Sequence, residues 1–454
     1  MTPLEDAIAH ADGVRRAGRP AEALQLFEAQ LRQHPLEFVL FHHAGRAALE
    51  AKAFQTAINH LEFFVRAEPR NWRALHRLGS AYFNSGQYAP ANDTFARMLA
   101  LQPDLVPALI PFGFCRYALG FPDEGFAVHS RALALPAATP SDALGQALLR
   151  ITRGDWTGWA QMEARWELPS EHPHLEWQAL GMQHWRGEPA PDRTLWLHPE
   201  GGLGDSIMFC RFIPLAAQRV GRVVFSAPKA LHRLLAPLPG LAALVDPAME
   251  DARDPKYLHA GLWSLPLLLG VDADSLPRET PYLHAPESGP MLPPRRPDAR
   301  LRVGIVWSGN PNADHDRDRS MPSPELLAPL WEVEGVEWVS LQVGARTEWA
   351  EHFPVTPLPP VTDFADTAFV LRQLDLTVSV DTSTANLAGA MGREVWVFTP
   401  TMPEFRWPID RVGRTPWYPA ARTFPRRRSD DWPGAIADVA AALRARVSER
   451  GAEG

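Results

Sequence analysis

Aspartate, glycine and hydroxyl residues recur in three short stretches whose order suits work on a phosphorylated substrate. Gly201-Gly202-Leu203-Gly204-Asp205 sets a carboxylate beside glycines. Glycine admits positive φ and close backbone approach, and a helix opening there presents free N–H groups. The G-x-G-x-x-G spacing of a dinucleotide fingerprint is absent. Asp205 has two readings: a helix N-cap, or a group that takes up a proton. Asp381-Thr382-Ser383-Thr384 precedes the small residues Ala385, Ala388, Gly389 and Ala390. Its hydroxyls and N–H groups form either a simple cap or a seat for a diphosphate. Trp307-Ser308-Gly309-Asn310-Pro311 ends an apolar run, where a ligand loop is expected.

Charged residues near these stretches extend the chemistry. Asp314, Asp316 and Asp318 have the spacing of a metal-binding D-x-D cluster, but His315, Arg317 and Arg319 alternate with them. Self-neutralised charge on an exposed loop is the reading adopted, with no metal. Arg317 and Arg319 suit bidentate pairing with a phosphate. Glu404-Phe405-Arg406-Trp407 offers an arginine to a leaving phosphate, and Trp417-Tyr418-Pro419 an aromatic wall; packing between lobes explains both segments equally well. The run Arg426–Arg428, followed by Asp430 and Asp431, reads as a solvated loop.

The elements that position these residues alternate between strand and helix, which implies parallel sheets. Strands are expected at Thr194–His198, Arg222–Ser226, Ala242–Asp246, Arg302–Trp307, Glu337–Gln342, Asp375–Val380 and Glu394–Thr399. Helices are expected at Ser206–Gln218, Lys229–Leu235, Pro324–Trp331, Phe364–Leu374, Ser383–Met391 and Gly434–Arg446. Pro281 to Pro297 reads as a linker between two such units. Open α/β sheets place ligands at the carboxyl ends of their strands.

The first third differs. Pro35, Pro69 and Pro103 are 34 residues apart, as are Gly45, Gly79 and Gly113, and Gly86, Gly120 and Gly154. Ala23, Ala57, Ala91 and Gly125 keep this step, and so do Phe27, Leu61, Phe95 and His129. This is the tetratricopeptide pattern, in which small residues let two helices approach and bulky ones fill the seam. A degenerate fifth unit, Ser141 to Leu168, carries Trp156, Trp159 and Trp166. These are expected to cap the array and glue it to the next domain, with ligand stacking as the alternative. The domains expected are repeats at 1–140, a connector at 141–190, and α/β lobes at 191–290 and 291–454.

Composition sets the class. In 454 residues, 46% are hydrophobic and 22% charged, ordinary for globular protein. A formal charge of −8 gives no electrostatic footprint for nucleic acid. The two cysteines, Cys115 and Cys210, fall in different expected domains and imply a reducing compartment. No window has the length and apolarity of a membrane span. A cytoplasmic protein is expected.

Together these segments resemble a bacterial family of tetratricopeptide proteins with a glycosyltransferase family nine, heptosyltransferase-like domain. The stretches that carry the resemblance are Gly201–Asp205, Val303–Pro311, Asp363–Thr367, Leu374–Gly392 and Arg406-Trp407 to Trp417–Pro419. The order of repeats then α/β domain also looks like that of O-GlcNAc transferases. The resemblance implies a helical solenoid followed by a GT-B fold, two facing Rossmann-like lobes with the donor mainly on the C-terminal one. It implies an inverting, metal-independent transfer from a nucleotide-sugar, with no other cofactor, to a protein or glycan hydroxyl. Asp205 would be the general base. Gly202, Gly204, Ser308, Asn310, Arg317, Arg319, Asp381, Thr382, Ser383, Asn386 and Arg406 would hold the donor. The repeats would recruit the acceptor or a protein partner on their concave face. Two positions depart from the family: Asn386 stands where it usually has histidine, and Asp314 where it usually has lysine. A catalytically silent binding scaffold is the alternative. An epimerase-like enzyme would carry a tyrosine–lysine pair on a catalytic helix, and the sequence shows none.

Overall fold

The computed structural model describes residues 2–168, 181–247, 254, 256–313, 316–401, 404–407, 413 and 415–453. The chain forms two compact units, Met1–Asp142 and Ala143–Gly454.

The first unit is a series of helix pairs: α1 (Pro3–Arg16) with α2 (Pro20–Gln33), α3 (Phe38–Glu50) with α4 (Phe54–Ala67), α5 (Trp72–Asn84) with α6 (Tyr88–Leu101), and α7 (Val106–Ala118) with α8 (Pro122–Leu133). The 34-residue step has a direct packing cause. A Cβ at Gly45 would lie 2.6 Å from Leu61 Cγ, and one at Gly79 would lie 2.7 Å from Phe95 Cε1. One at Gly113 would overlap the His129 ring. Each pair therefore closes a glycine of its first helix onto a bulky side chain of its second. Ala11 and Phe27, both fully buried, occupy the same places in the first pair. The turns within pairs repeat as well. Gly18, Gly86 and Gly120 have φ of 79°, 80° and 89°, and Lys52 takes the same left-handed conformation at 58°.

The seam also buries imidazoles. His129 is fully buried, meets Phe114 edge-on at 4.4 Å, and neither ring nitrogen has a hydrogen-bond partner. Burial holds its pKa down to about 4. Burial also lowers His42, to about 4, and His43, His60 and His76. Cys115 is buried with its pKa pushed up to about 12.

The second unit opens with α9 (Pro140–Thr152) and α10 (Gly158–Met162) and continues as an α/β structure. Its first sheet has the order β1-β5-β2-β3-β4, with β1 Gln183–His184, β2 Ala190–His198, β3 Val220–Ser226, β4 Leu241–Val245 and β5 Leu258–Gly261. The second has the order β11-β10-β9-β6-β7-β8, with β6 Leu301–Val306, β7 Val336–Ser340, β8 Val355–Thr356, β9 Leu376–Val380, β10 Val395–Thr399 and β11 Ala421–Pro425. Every pairing is parallel. All residues of β6, β7, β9 and β10 are buried, as expected for parallel strands covered on both faces. The principal helices are α11 (Leu203–Phe209), α12 (Phe364–Leu371), α13 (Ser383–Ala390) and α14 (Trp432–Glu453). One continuous core runs from Leu195 and Phe225 through Ile207 and Phe209 to Leu387 and Val397, so both sheets share it.

Three local expectations are corrected. The helix expected over 206–218 starts earlier, at Leu203, and breaks at a 3₁₀ turn, Cys210–Phe212, before Ile213–Ala216. Pro214 cannot donate to a continuing ladder. Strands β1, β5, β8 and β11 were not expected: three are very short, and β11 ends on Pro425, which suits an edge. Arg426 is buried over the Trp432 ring at 4.4 Å, so only Arg427 and Arg428 of that run are exposed. Among the described residues, no helix is long and apolar enough to cross a membrane.

The lowered pKa of His129 predicts acid lability. Above about pH 6.5 both states carry the neutral ring, and below it the unfolded chain takes the proton first. The folded arm therefore loses stability as pH falls from about 6.5 toward 4. Urea midpoints at pH 6.5 and 4.5 should show that His129→Leu removes about 2–3 kcal/mol of the wild-type loss. Equal losses in both proteins would show that His129 does not titrate differently on unfolding.

Candidate functional site

In each sheet the strand order reverses once. The second sheet winds outward from β6 through β7 to β8, and from β9 through β10 to β11 on the other side. This is the doubly wound order, with its switch point between β6 and β9. The loops leaving those strands are Trp307-Ser308-Gly309 and Asp381-Thr382-Ser383. In the first sheet β2 lies between β3 and β5, and their loops carry Glu200-Gly201-Gly202 and Leu262-Trp263. Crevices at such points receive ligands in open α/β folds.

Asp205 is not an N-cap. Gly202 occupies that position and Asp205 lies three residues later, reaching back so that its Oδ2 accepts the Gly202 N–H at 2.7 Å. Its Oδ1 accepts from Trp263 Nε1 at 3.1 Å and pairs with the Arg406 guanidinium. Gly201, at φ 67°, has no room for a Cβ against this carboxylate. Asp205 is 4% exposed and Arg406 7%. Burial alone would lower the Arg406 pKa, but the Asp205 and Asp381 carboxylates outweigh it and hold it above the ordinary guanidinium value. Arg406 also pairs with Glu404 and lies 4.7 Å over the Phe405 ring.

The start of α13 meets this group. A Cβ at Gly204 would stand 3.0 Å from Asn386 Nδ2 and 3.5 Å from Ser383 Cα, so α11 and α13 touch there. Thr382 caps α13, its Oγ1 accepting the Ala385 N–H at 3.4 Å and lying 2.9 Å from Ser379 Oγ. Asp381 Oδ1 accepts from Trp407 Nε1 at 2.7 Å. Asn386 donates to the Thr382 carbonyl and accepts from the Tyr418 hydroxyl, both at 2.9 Å. The residues brought together are thus Gly202, Gly204, Asp205, Arg406, Asp381, Thr382, Ser383 and Asn386.

Of the two readings of Trp417-Tyr418-Pro419, interior packing is the one that the burial of its rings fits. Trp417 and Tyr418 are 1% and 0% exposed. They enclose the buried Arg211, whose guanidinium donates to the Trp417 carbonyl at 2.8 Å and to Tyr282 Oη at 2.9 Å. Trp159 packs edge-on against Phe209, Phe405 and Trp417, and Trp156 lies 5.6 Å from Trp417, all within the second unit.

Ser308, Asn310, Arg317 and Arg319 form a separate group. The Gln342 side chain accepts from the Ser308 N–H and donates back to the Ser308 carbonyl, both at 3.0 Å. Buried Asp316 holds Ser320 at 2.8 Å and Arg319 at 3.2 Å, and Ser320 in turn accepts the Gly309 N–H at 2.8 Å. Asn310 is exposed and accepts from Asn312 N–H at 3.0 Å, and Arg317 is exposed beside Asp318 at 3.7 Å. Asp314 and His315 lie outside the described residues, among which no group suited to a metal ion occurs.

Sequence reasoning missed the pair behind the glycine loop. Arg165, fully buried, forks onto Glu200 at 2.6 and 3.1 Å and also reaches Glu163 and Ser264 Oγ, both at 2.7 Å. Glu200 accepts the Trp263 N–H at 2.9 Å as well. The available signal was a glutamate at the carboxyl end of β2. Pockets of about 440 Å³ beside His232 and Leu241–Leu244, and about 360 Å³ beside Trp166, His184 and His259, are not lined by Asp205. The candidate site rests on topology and side-chain chemistry.

A tetratricopeptide-repeat family model matches residues 48–109. The N-terminal arm is a tetratricopeptide-type helical solenoid, and the region after it is α/β with parallel sheets. The chain is 26% identical over 425 residues to Protein FlbA of Caulobacter vibrioides, a match covering 86% of this chain and 70% of FlbA. A thermophilic TPR protein of Thermus thermophilus is 22% identical, covering 38% of this chain and 95% of its own, with a TM-score of 0.32. MamA from Desulfovibrio magneticus RS-1 is 17% identical, covering 37% and 99%, with a TM-score of 0.34.

Breaking a buried ion pair strands its partner. Arg165→Ala should therefore cost about 3–5 kcal/mol in urea unfolding of the second unit, and a paired Arg165→Met, Glu200→Leu change should recover much of it. A loss below about 1 kcal/mol for the single variant would mean that Glu200 finds water or another donor.

Proposed function

We propose that the second unit is an inverting, metal-independent glycosyltransferase of GT-B type, using a nucleotide-sugar donor, with the repeat arm recruiting the protein or glycan acceptor or a partner protein. One observation carries the reading: α11 and α13, each starting at a switch-point loop, meet at Gly204 with a carboxylate and a guanidinium at the junction. This supports a donor seated at the start of α13, where Thr382 and Ser383 offer hydroxyls and the helix offers N–H groups. The acceptor oxygen forms a bond to the anomeric carbon as the bond to the diphosphate oxygen breaks. The acceptor proton passes to Asp205, and the electron pair leaves with the diphosphate. Arg406 meets the charge that develops there, an electrostatic contribution that requires no metal in the reaction as written. Arg406 is engaged by Asp205, so the donor diphosphate has to compete for it.

That engagement also favours a second reading, a catalytically silent scaffold. Both Asp205 oxygens accept hydrogen bonds, and Asn386, standing where the resembling family has histidine, is tied to Thr382 and Tyr418.

Thermal-shift measurements with UDP, GDP, ADP, CMP and dTDP and their common sugars, with and without magnesium, separate the two. The transferase reading expects one nucleotide to raise the melting temperature by several degrees without metal. It further expects Asp205→Asn to abolish turnover of that nucleotide's sugar while leaving donor affinity nearly unchanged. Full activity in Asp205→Asn would remove Asp205 from the mechanism, and a flat response to every nucleotide would favour the scaffold.

A further inference from the structure

Asn386 lies where α11 meets α13, only 2% exposed, and its amide is held in one orientation from both ends. The Thr382 carbonyl, which can only accept, lies 2.9 Å from one end, so that end is the NH₂ group. The Tyr418 hydroxyl lies 2.9 Å from the other. Burial pushes the Tyr418 pKa well above the ordinary phenol value, so the hydroxyl keeps its proton and donates it to Asn386 Oδ1. An amide nitrogen carries two donors. Thr382 takes one, and among the described residues the second has no partner. The nitrogen lies toward Gly204, where an added Cβ would stand 3.0 Å from it.

Tyr418 is itself fixed. Its ring is fully buried against Gly389, where an added Cβ would meet Cγ at 2.5 Å. Beside it stands Arg211, 4% exposed, with no carboxylate within ion-pair distance among the described residues. Its guanidinium donates to the Met208 and Pro277 carbonyls, both at 3.1 Å, to the Trp417 carbonyl at 2.8 Å and to Tyr282 Oη at 2.9 Å. The guanidinium carbon is 5.1 Å from the Tyr418 ring centroid, within reach of a cation–π contact. An apolar side chain here would avoid the desolvation cost of a buried charge. What the planar fork adds is direction: it ties the end of α11 to the Trp417 carbonyl, and so to the backbone that delivers the Tyr418 phenol.

We propose that Tyr418, held by Arg211, is a positioning residue of the donor seat, fixing the Asn386 amide so that its second N–H meets a phosphate oxygen of the bound donor. The inference rests on the transferase reading and adds to it the two residues that aim one hydrogen bond at the start of α13. The amide is neutral, so its bond to phosphate depends on alignment, and alignment is what Tyr418 enforces.

The test titrates full-length protein with inorganic pyrophosphate, without metal, by calorimetry. Wild type should bind, and Tyr418→Phe, which removes only the hydroxyl, should weaken binding about five- to tenfold. Asn386→Ala should weaken it at least as much. Adding Tyr418→Phe to Asn386→Ala should then cost nothing further, because the hydroxyl acts only through the amide. A merely structural role would give the same loss in both backgrounds. Arg211→Lys keeps the charge but not the fork and should also weaken binding, whereas Tyr257→Phe, stacked on Trp196 in the first sheet, should not. Melting curves establish that each variant is folded. Wild-type affinity in Tyr418→Phe, or additive losses in the double variant, would overturn the proposal and leave the transferase reading in place. Wild-type affinity in Arg211→Lys would overturn the part assigned to Arg211. If wild type binds no pyrophosphate the proposal falls, and the nucleotide thermal shifts decide whether the transferase reading falls with it.

Discussion

Two parallel sheets can share one core only if the helices between them approach closely, and in this chain that approach depends on missing side chains. Gly204 on α11 faces Asn386 and the backbone of Ser383 on α13, while Gly389, further along α13, leaves room for the Tyr418 ring, whose Cγ would lie 2.5 Å from an added Cβ. A methyl group at either place meets atoms that are themselves fixed, Asn386 by Thr382 and Tyr418, and Tyr418 by complete burial. The contact therefore fixes where the two helix starts stand, and with them Asp205 and Thr382. The same device, a glycine opposite a bulky residue, sets each helix pair of the repeat arm. In the arm it recurs along the sequence, whereas in the α/β unit Gly204 and Asn386 are far apart in the chain.

Close packing of this kind buries charge, and the unit handles that cost in distinct ways. Arg165 and Glu200 neutralise each other with extra hydrogen bonds from Ser264 and Trp263. Arg211 is instead enclosed by aromatic faces and carbonyl oxygens, with the Tyr282 ring centroid 4.4 Å from its guanidinium carbon. Asp205 and Arg406 combine both, an ion pair beside Trp263 and Phe405. Buried pairs contribute little net stability relative to apolar packing. What such geometry supplies is fixed orientation: the glycine loop after β2 is held from behind by Arg165 through Glu200 and from ahead by Arg406 through Asp205.

How much of this the sequence revealed depends on how local each cause is. The repeat is readable because its packing rule returns every 34 residues and marks its turns with glycine at positive φ. The buried parallel strands are readable because both faces demand apolar residues, so β6, β7, β9 and β10 stand out as runs. Strand β5, Leu-His-Ala-Gly, does not, since its identity comes from pairing with β2 and β1 rather than from its own residues. The motif loops were visible as glycine and hydroxyl clusters, but the state of their side chains was not. Asp205 has the composition of an N-cap and occupies the third helical position, because Gly202 takes the cap. Trp417, Tyr418 and Arg426 lie in segments that look exposed and polar nearby, yet each is buried by elements distant in sequence.

The Asp205–Arg406 pair links the two functional readings physically. The Asp205 carboxylate pairs with the guanidinium and accepts from the Trp263 indole N–H and the Gly202 N–H, so both of its oxygens are engaged. Replacing the carboxylate by a diphosphate at Arg406 exchanges one buried anion for another, so the guanidinium never loses its counter-charge. The cost of that exchange falls on Asp205, which keeps only the Gly202 and Trp263 bonds. The contact that favours the silent reading is thus also the one that an anionic donor would have to open.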